Sequence, residues 1–325
     1  MTLPDLPEAS GITWRSATVD DVDALARLTL AVHAVEQLDH VSGPDLFRWI
    51  FAQTDLEPVT DYRVAVTSDG DIVADGGAWK QISDAGARSF VWAEARPGHE
   101  HLRPGLIAWA KARATQQLAA RPEGTQGSIR YVIEAHRTAA RADVEAAGFS
   151  LSRSFVVMER NLETLPEPGP LPEGVEVIGW DQEHDEGARL CTNEAFADHW
   201  GSLPQSPEQW RDIVTGSASF RPDFTFLAVA DGRVVGSCLC EVDAEDNATR
   251  EVPEVFINRV ATVRDFRRLG LASHLLVRSL QAARSAGFTM ASLDVDETSH
   301  TSATEVYRRL GFTDRSRSIH YYLEV

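Results

Sequence analysis

The chain has 325 residues, and its 49 acidic against 31 basic side chains give a formal net charge of −18. A protein that grips a nucleic-acid backbone needs a surplus of cations, and no basic block occurs here, so the composition excludes that partner. Anionic membrane surfaces are disfavoured for the same reason. No segment approaches the roughly 18 apolar residues of a membrane span, and residues 1–10 lack an apolar leader core, which predicts a cytoplasmic protein.

The three cysteines do not indicate a metal site. Cys191, Cys238 and Cys240 have no metal-ligand spacing beyond one C-x-C, and that pair lies in an alternating apolar run typical of a strand. They are therefore predicted to be core thiols. His99 and His101 offer a weak metal alternative, because no carboxylate or thiol pattern surrounds them. We predict no metal.

A proline-rich segment divides the chain almost in half. Residues 163–174 read ETLPEPGPLPEG, and four prolines in twelve positions predict a stiff linker. The expected organisation is a first domain at residues 1–162, a linker at 163–173 and a second domain at 174–325.

In chain order, the two halves show the same succession of elements. In the first half, strands are predicted at residues 12–16, 62–67, 72–80, 90–95, 129–134 and 149–160, and helices at 19–37, 44–53, 102–119 and 138–147. In the second half, strands are predicted at residues 175–178, 224–230, 234–242, 255–263, 290–295 and 318–324, and helices at 183–197, 207–214, 271–286 and 302–310. Each half is thus a mixed α/β unit in which a strand leads through a long helix to another strand, the crossover expected between parallel neighbours.

The most informative segment joins a strand that ends at Val263 to a helix that begins at Leu271. A short basic turn with Arg267, Arg268 and one glycine, Gly270, lies between them. A strand, tight turn and helix start in this order point unpaired N–H groups at one spot, where the helix dipole adds positive potential. The pattern predicts a pyrophosphate site, with a plain surface turn as the alternative.

A second segment, LDVDETSHTSATEVYRRLGF at residues 293–312, predicts a strand, a polar loop and an amphipathic helix that carries Tyr307. Spacing alone also allows Tyr307 to be a core residue. The two segments together resemble the GNAT superfamily of acyl-CoA-dependent N-acetyltransferases. Its pyrophosphate loop, Q/R-x-x-G-x-G/A, is matched by RRLGLA at 267–272, and its later L-Y-x-x-x-G-F motif by VYRRLGF at 306–312. The resemblance covers residues 174–325.

The resemblance implies a chain of two tandem GNAT folds, like the mycothiol-synthase type. Each fold would be a mixed, mostly antiparallel sheet with a parallel, splayed strand pair, flanked by helices. Acetyl-CoA would be the acyl donor, and Tyr307, near the thioester sulfur, would protonate the departing thiolate. The residues that the resemblance assigns to the donor are Val260, Ala261, Thr262, Arg267, Arg268, Leu269, Gly270, Leu271, Ala272, Ser273 and Ser299. One departure from the family is Ser299 followed by His300, where related sequences carry Asn.

The first half has the same order of predicted elements as the second half but lacks both sequence motifs. Aligned on the following helix, its loop becomes GHEHLR at 98–103, without the arginine, the glycine or the small residue at their positions. Val144 stands where the second half has Tyr307. The first half is therefore identified as a degenerate repeat, and the working site is expected in the second half. Whether the first half binds CoA is left open.

The sequence leaves the general base open. An amine must attack in its neutral form, so a base or a water relay is required. Glu254 is the preferred candidate, and Glu241, Asp294 or a water held by Asn258 are alternatives. A bulge in the strand would change which of them faces the substrate.

The expected function is acetyl-CoA-dependent transfer to a primary amine of a small molecule, by direct attack. The acidic composition favours an amine-bearing acceptor. Asp198, His199 and Trp200 could line its pocket, or could equally form a cap and a buried aromatic. The alternative function is a non-catalytic acyl-CoA-binding or sensing protein. The chain is expected to be a monomer or a homodimer, and the acceptor and the acyl preference stay open.

Overall fold

The computed structural model describes residues 2–83, 86–199, 202–298 and 303–325. The chain divides into two compact units. Unit 1 comprises Met1–Phe155 and Ser316–Val325, and unit 2 comprises Val156–Arg315. Each unit is therefore completed by a strand segment from the other half of the sequence.

Unit 1 is a sheet with helices packed on it. Its strands are β1 (Ile12–Ser16), β2 (Tyr62–Thr67), β3 (Ile72–Ser83), β4 (Gly86–Ala95), β5 (Gly127–Glu134) and the first part of β6 (Ser150–Asn161). Its helices are α1 (Val22–Glu36), α2 (Pro44–Ala52), α3 (Pro58–Asp61), α4 (Arg103–Leu118) and α5 (Thr138–Ala146). β1 to β5 lie side by side, antiparallel except for the parallel pair β4 and β5. Residues 318–324 of the C-terminal strand add to β5 in antiparallel register.

Unit 2 repeats this plan. Its strands are β7 (Val175–Gly179), β8 (Phe226–Ala230), β9 (Arg233–Glu241), β10 (Glu254–Thr262), β11 (Met290–Asp296) and the first residues of β12 (Thr313–Glu324). Its helices are α6 (Asp185–Ala195), α7 (Pro207–Trp210), α8 (Ala244–Asn247), α9 (Leu271–Ser285) and α10 (Ala303–Arg309). The strand order is β6-β11-β10-β9-β8-β7. The pair β10 and β11 is parallel, and the pairs β7–β8, β8–β9 and β9–β10 are antiparallel.

The expected fold class is confirmed: each unit is a mixed, mostly antiparallel sheet with one parallel pair, flanked by helices. Two predicted helices differ in detail. The helix predicted at 207–214 is the short α7 followed by a π-helix at Arg211–Thr215. The helix predicted from residue 19 begins as a 3-10 turn at Val19–Asp21, and α1 follows it. Apolar periodicity does not distinguish these helix types, because it records only which face is buried.

Long helices close the cores of both units. In unit 1, α4 packs against β3 and β4, and in unit 2, α9 packs against β8, β9 and β10. Cys191, Cys238 and Cys240 are buried free thiols of unit 2, so the prediction of core thiols is confirmed. Burial raises the pKa of the Cys191 thiol to about 12, which keeps it protonated. Among the described residues, no helix combines the length and the apolarity needed to cross a bilayer.

Candidate active site

In unit 2, β10 and β11 pair only at their beginnings. Their parallel register ends with Phe256 opposite Ser292, while β10 stays paired with β9 as far as Thr262. Val263 donates its N–H to a β9 carbonyl oxygen at 3.0 Å. Since alternate residues of a strand face opposite edges, the backbone groups of Val260 and Thr262 face the side from which β11 has parted. An edge of this kind can pair with an extended ligand as an additional strand.

A β-bulge lies just beyond the last parallel pair. The register of β10 on β9 shifts by one residue between Ile257 and Arg259, which makes Asn258 the extra residue. The Asn258 amide donates a hydrogen bond to the Glu241 carboxylate. A bulge bends its strand and redirects side chains, so the bend of β10 coincides with the parting of the two strands.

The loop after β10 exposes backbone amides. It passes through a 3-10 turn at Arg264–Phe266, and then Arg268 and Gly270 adopt left-handed backbone with φ of 63° and 82°. Gly270 caps α9 without a side-chain acceptor for the amides of the first turn, at residues 271–273. Uncapped amides at a helix start carry positive potential and bind phosphate oxygens well.

The two arginines of the loop have different environments. Arg267 turns back to the protein, donating from Nε to the Thr262 carbonyl at 3.2 Å and from Nη2 to the Ala195 carbonyl at 2.9 Å. It therefore braces the loop. Arg268 is exposed and has no ion-pair partner in the part of the chain that the structure describes, so its charge is available beside the open amides. Leu269 is exposed as well, whereas Ala272 and Ser273 are half-buried in the first turn of α9.

Tyr307 lies on α10, half-buried against the core of unit 2. Its ring meets Phe312 edge-on, with the centroids 6.0 Å apart. Burial raises the pKa of the Tyr307 phenol well above its ordinary value, and the neighbouring Cys238 and Asp294 raise it further. The phenol therefore keeps its proton at neutral pH and can act as a proton donor.

Asp294 lies on β11 beyond the last parallel pair. Desolvation by the surrounding protein raises the pKa of its carboxyl, and His199 opposes that rise. The side chain still presents surface to solvent, which is typical of the wall of a cleft rather than of the core. His199 follows α6, so the first helix of unit 2 and β11 approach each other here. Ser299, His300 and Trp200, which the sequence analysis named, lie outside the described residues.

Glu254 is held in a network of hydrogen bonds. One carboxylate oxygen accepts from Arg315 Nη1 at 2.6 Å, and the other accepts from Ser292 Oγ at 2.7 Å. Arg250 lies 3.5 Å from the carboxylate. Glu254 thus sits on the paired part of β10, where its charge is compensated and its oxygens are engaged.

Arg259 is a site residue that the sequence analysis did not single out. It donates to the Gln205 side chain at 2.5 Å and lies over the Trp210 ring, 5.8 Å from the centroid. Burial lowers the pKa of its guanidinium, and Glu241 opposes that effect. The signal in the sequence was a positive charge in a strand whose other residues are apolar or polar, apart from Glu254 at its start.

Asp198, the other acceptor candidate from the sequence, forms an exposed ion pair with Arg264 of the loop. On β10, the buried hydroxyl of Thr262 has no hydrogen-bond partner among the described residues.

The corresponding segments of unit 1 are closed by the chain itself. Beyond the last parallel pair of β4 and β5, the Tyr131 hydroxyl donates to the Ala93 carbonyl at 2.9 Å and accepts from the Ala93 N–H at 3.1 Å. In the loop before α4, the Gly98 N–H donates to both oxygens of the Glu100 carboxylate at 3.0 Å. In unit 1 a side chain thus occupies the strand edge beyond the parallel pair, and a carboxylate accepts from a loop amide before α4.

Known proteins resemble both the second half and the whole chain. Residues 189–312 match the Acetyltransferase (GNAT) family. A mycothiol acetyltransferase of Streptomyces griseus subsp. griseus is 31% identical over 319 residues, which cover 90% of this chain and 95% of that protein. A mycothiol acetyltransferase of Thermobispora bispora is 36% identical over 179 residues, or 52% of this chain, and this match spans only 57% of that protein.

Solved structures resemble the whole chain in fold. A GCN5-related N-acetyltransferase from Sphaerobacter thermophilus has a TM-score of 0.74 at 23% identity, covering 99% of this chain and 97% of that one. A tandem GNAT protein from the clavulanic acid biosynthesis pathway has a TM-score of 0.69 at 15% identity, covering 96% and 98%. At these identities the likeness concerns the fold.

The family match and the mycothiol acetyltransferase relatives together make this chain an acyltransferase. The chain belongs to the GNAT acetyltransferase family. The family, the tandem organisation and the enzyme class expected from the sequence are confirmed.

Proposed function

We propose that the chain is an acetyl-CoA-dependent N-acetyltransferase, with its active site in unit 2 and a primary amine of a small molecule as acceptor. The observation that carries this proposal is the contrast between the units. Among the described residues no strand pairs with β11's side of β10 beyond Phe256 in unit 2, whereas Tyr131 occupies the corresponding strand edge in unit 1. The first half is accordingly a degenerate repeat.

The donor contacts follow from the open groups. The pantetheine arm lies along β10 at Val260, Ala261 and Thr262, where the Val260 backbone faces the side from which β11 has parted. The pyrophosphate lies against the amides of residues 271–273, where Arg268 adds a charge and Gly270 supplies the left-handed turn. Ser299 stays a proposed contact of the donor.

The reaction is a direct transfer. The neutral amine nitrogen attacks the thioester carbonyl carbon, and a C–N bond forms while a backbone N–H of β10 beyond the bulge stabilises the carbonyl oxygen. The C–S bond then breaks, and the leaving thiolate takes the proton of Tyr307. The proton lost by the attacking amine passes to a base.

Three carboxylates compete as that base, and Asp294 on the cleft wall is one of them. Glu254 is the candidate from the sequence, but two arginines and Ser292 engage it. Glu241 contacts the bulge residue Asn258 directly. We expect the Gln variant of the true base to lower kcat/KM by about 100-fold and to remove the acidic limb of its pH profile, since general-base catalysis contributes about 100- to 10,000-fold. The Gln variant of the other carboxylate should lower stability and leave the pH profile unchanged. If both profiles are unchanged, Asp294→Asn is tested next, and a third unchanged profile would point to a water relay.

The surroundings favour a cationic acceptor. Asp294 lies on the cleft wall, and the chain as a whole is acidic. Because two relatives are mycothiol acetyltransferases, an amine precursor of mycothiol belongs in the acceptor panel.

The test is to incubate the full chain with acetyl-CoA and a panel of primary amines. We expect thiol release with at least one amine, together with a product heavier by one acetyl group in the mass spectrum. Tight binding of acetyl-CoA without turnover on any amine would favour the alternative, an acyl-CoA-sensing protein. Failure to bind acetyl-CoA at all would contradict both functions.

A further inference from the structure

Unit 1 contains a cavity of about 330 Å³ between α1, α2 and the sheet. A volume of this size suits a small ligand of fragment size. Its aromatic lining residues are Phe47, Trp49, Tyr62, Trp79, Phe90 and Trp92. Such a wall binds an apolar body well and also attracts a cation to the faces of its rings.

A buried carboxylate, Asp75, lines this cavity and is only 5% exposed. The Tyr62 hydroxyl and the Trp92 indole donate to the same oxygen, Oδ2, at 2.7 Å and 3.0 Å. The other oxygen, Oδ1, has no hydrogen-bond partner among the described residues. Trp79 adds a buried indole N–H without an acceptor in the described part of the chain. A carboxylate oxygen that has no protein donor, in a residue that lines a cavity, can accept a hydrogen bond from a ligand.

The charge around the cavity is negative. Glu94 and Glu134 also line it, and both contact Arg137, at 2.6 Å and 3.3 Å. Arg137 additionally pairs with Glu36. Arg103 also pairs with Glu36, at 3.4 Å, and within the described ranges neither arginine forms an ion pair with Asp75.

We propose that this cavity binds a small organic ammonium ion with an apolar body, whose N–H donates to Asp75 Oδ1 and whose body packs against the indole rings. The site lies within unit 1 and makes no use of the acyl-transfer groups of unit 2. It would hold its ligand whether or not the proposed function is correct.

The titration of Asp75 gives the site a pH dependence. Burial raises the pKa of this carboxyl to about 7, the hydrogen bonds from Tyr62 and Trp92 oppose the rise, and the charge of Glu94 adds to it. Glu134 and Arg137 are the other charged groups that line the cavity, and His40 is its lining histidine. A protonated carboxyl attracts a cation less, so affinity for the ammonium ion falls as the pH drops below about 7.

The experiment compares 2-phenylethylamine with the uncharged 2-phenylethanol by calorimetry on the full chain, without acetyl-CoA. The two probes differ only in the group that meets Asp75. We expect the amine to bind at least tenfold more tightly than the alcohol and to change the tryptophan fluorescence. Asp75→Asn should remove this preference while the alcohol binds as before, since Asn keeps an acceptor for Tyr62 and Trp92. A melting curve of the variant verifies that it is folded.

Equal binding of the two probes, or no binding at millimolar concentration, would overturn the proposal without any mutation. An amine preference that survives Asp75→Asn would also overturn it, because the amine would then occupy the acceptor site of unit 2. Thiol release from acetyl-CoA is measured separately, so failure of the proposed function is distinguishable from failure of this site.

Discussion

The two units differ in what lies beside their parallel strands where those strands part. In unit 1, β4 keeps an unbroken register on β3, from Ala95 opposite Ala74 to Gly86 opposite Ser83, and Tyr131 fills the gap beside it. In unit 2, β10 carries a bulge at Asn258, and among the described residues no strand pairs with it on the β11 side beyond Phe256. The two units therefore differ in strand register and in what lies beside the parted strands.

The contrast has an energetic side. Each backbone hydrogen bond that Tyr131 makes with Ala93 contributes about 1 kcal/mol, and a buried backbone group without a partner costs about 1–3 kcal/mol. Unit 2 gives up such internal bonds along β10, so its open edge is favourable only where water or a ligand replaces them. Four substitutions test whether the unpaired groups of unit 2 serve the reaction and whether the paired groups of unit 1 serve stability.

The largest effect is expected at Tyr307. Tyr307→Phe removes the proposed proton donor and keeps the ring that packs on Phe312, so turnover should fall by about 100- to 1,000-fold while affinity for acetyl-CoA stays unchanged. Steady-state thiol release and calorimetry measure the two quantities. Full turnover in the variant would show that the thiolate leaves without this acid.

The next effect concerns the two loops, which offer a matched pair of glycines. Gly270 and Gly98 both have left-handed backbone, with φ of 82° and 92°, and a Cβ on either would meet open space. Gly270→Asp places a carboxylate beside the α9 amides and should weaken acetyl-CoA binding by about 100-fold, or roughly 3 kcal/mol.

Gly98→Asp imposes the same backbone strain beside Glu100 and should leave acetyl-CoA binding unchanged. If both variants lose the same affinity, strain rather than charge is responsible. If only Gly98→Asp loses affinity, the donor site lies in unit 1.

At Tyr131 we expect a smaller effect, on stability rather than on turnover. Tyr131→Phe leaves the Ala93 N–H and carbonyl without their partner, so the free energy of unfolding should fall by about 1–3 kcal/mol while turnover is unchanged. Urea unfolding and thiol release measure the two. Lost turnover at unchanged stability would mean that the gap in unit 1 takes part in the reaction.

Much of this comparison was predictable from the sequence. The loop motif at 267–272 and the altered segment at 98–103 located the open and the altered helix starts, because both are local patterns. The gap-filling role of Tyr131 was not predictable, since it depends on where two strands distant in sequence part. The contact between Glu254 and Arg315 is equally non-local, because it joins residues 61 positions apart.

The exchange of terminal strand segments between the units also escaped the sequence analysis. An alternating pattern predicts that residues 318–324 form a strand and does not specify which sheet that strand joins. The pairing partner is chosen by tertiary packing. The linker composition predicts a boundary at residues 163–173, and the strand pairings show how each sheet is completed.

The smallest expected effect is a pH dependence of stability. It distinguishes the cavity of unit 1, which Asp75 lines, from the gap that Tyr131 fills. Burial raises the pKa of Asp75 to about 7, above the value near 3.8 of an exposed carboxyl. Between these values the folded state binds the proton more tightly than the unfolded state, so the contribution of Asp75 to stability is greatest at low pH and is lost as the pH rises towards 7. Asp75→Asn removes this titration. Its stability relative to the native chain should therefore increase by about 1 kcal/mol between pH 6 and pH 8.

Asp21→Asn is the matched control, also in unit 1. Burial tends to raise the pKa of Asp21, but the hydrogen bonds from Arg15 and Thr18 lower it below its ordinary value, so its titration lies outside this pH range and its effect on stability should be constant. Urea unfolding of both variants and the native chain at several pH values measures the difference. A constant effect of Asp75→Asn would mean that the carboxylate is already compensated in the fold. An effect of Asp75→Asn that grows with pH would mean that unit 1 keeps a destabilising charge in its cavity. Such a charge is expected in a binding site and not in a core that serves only stability.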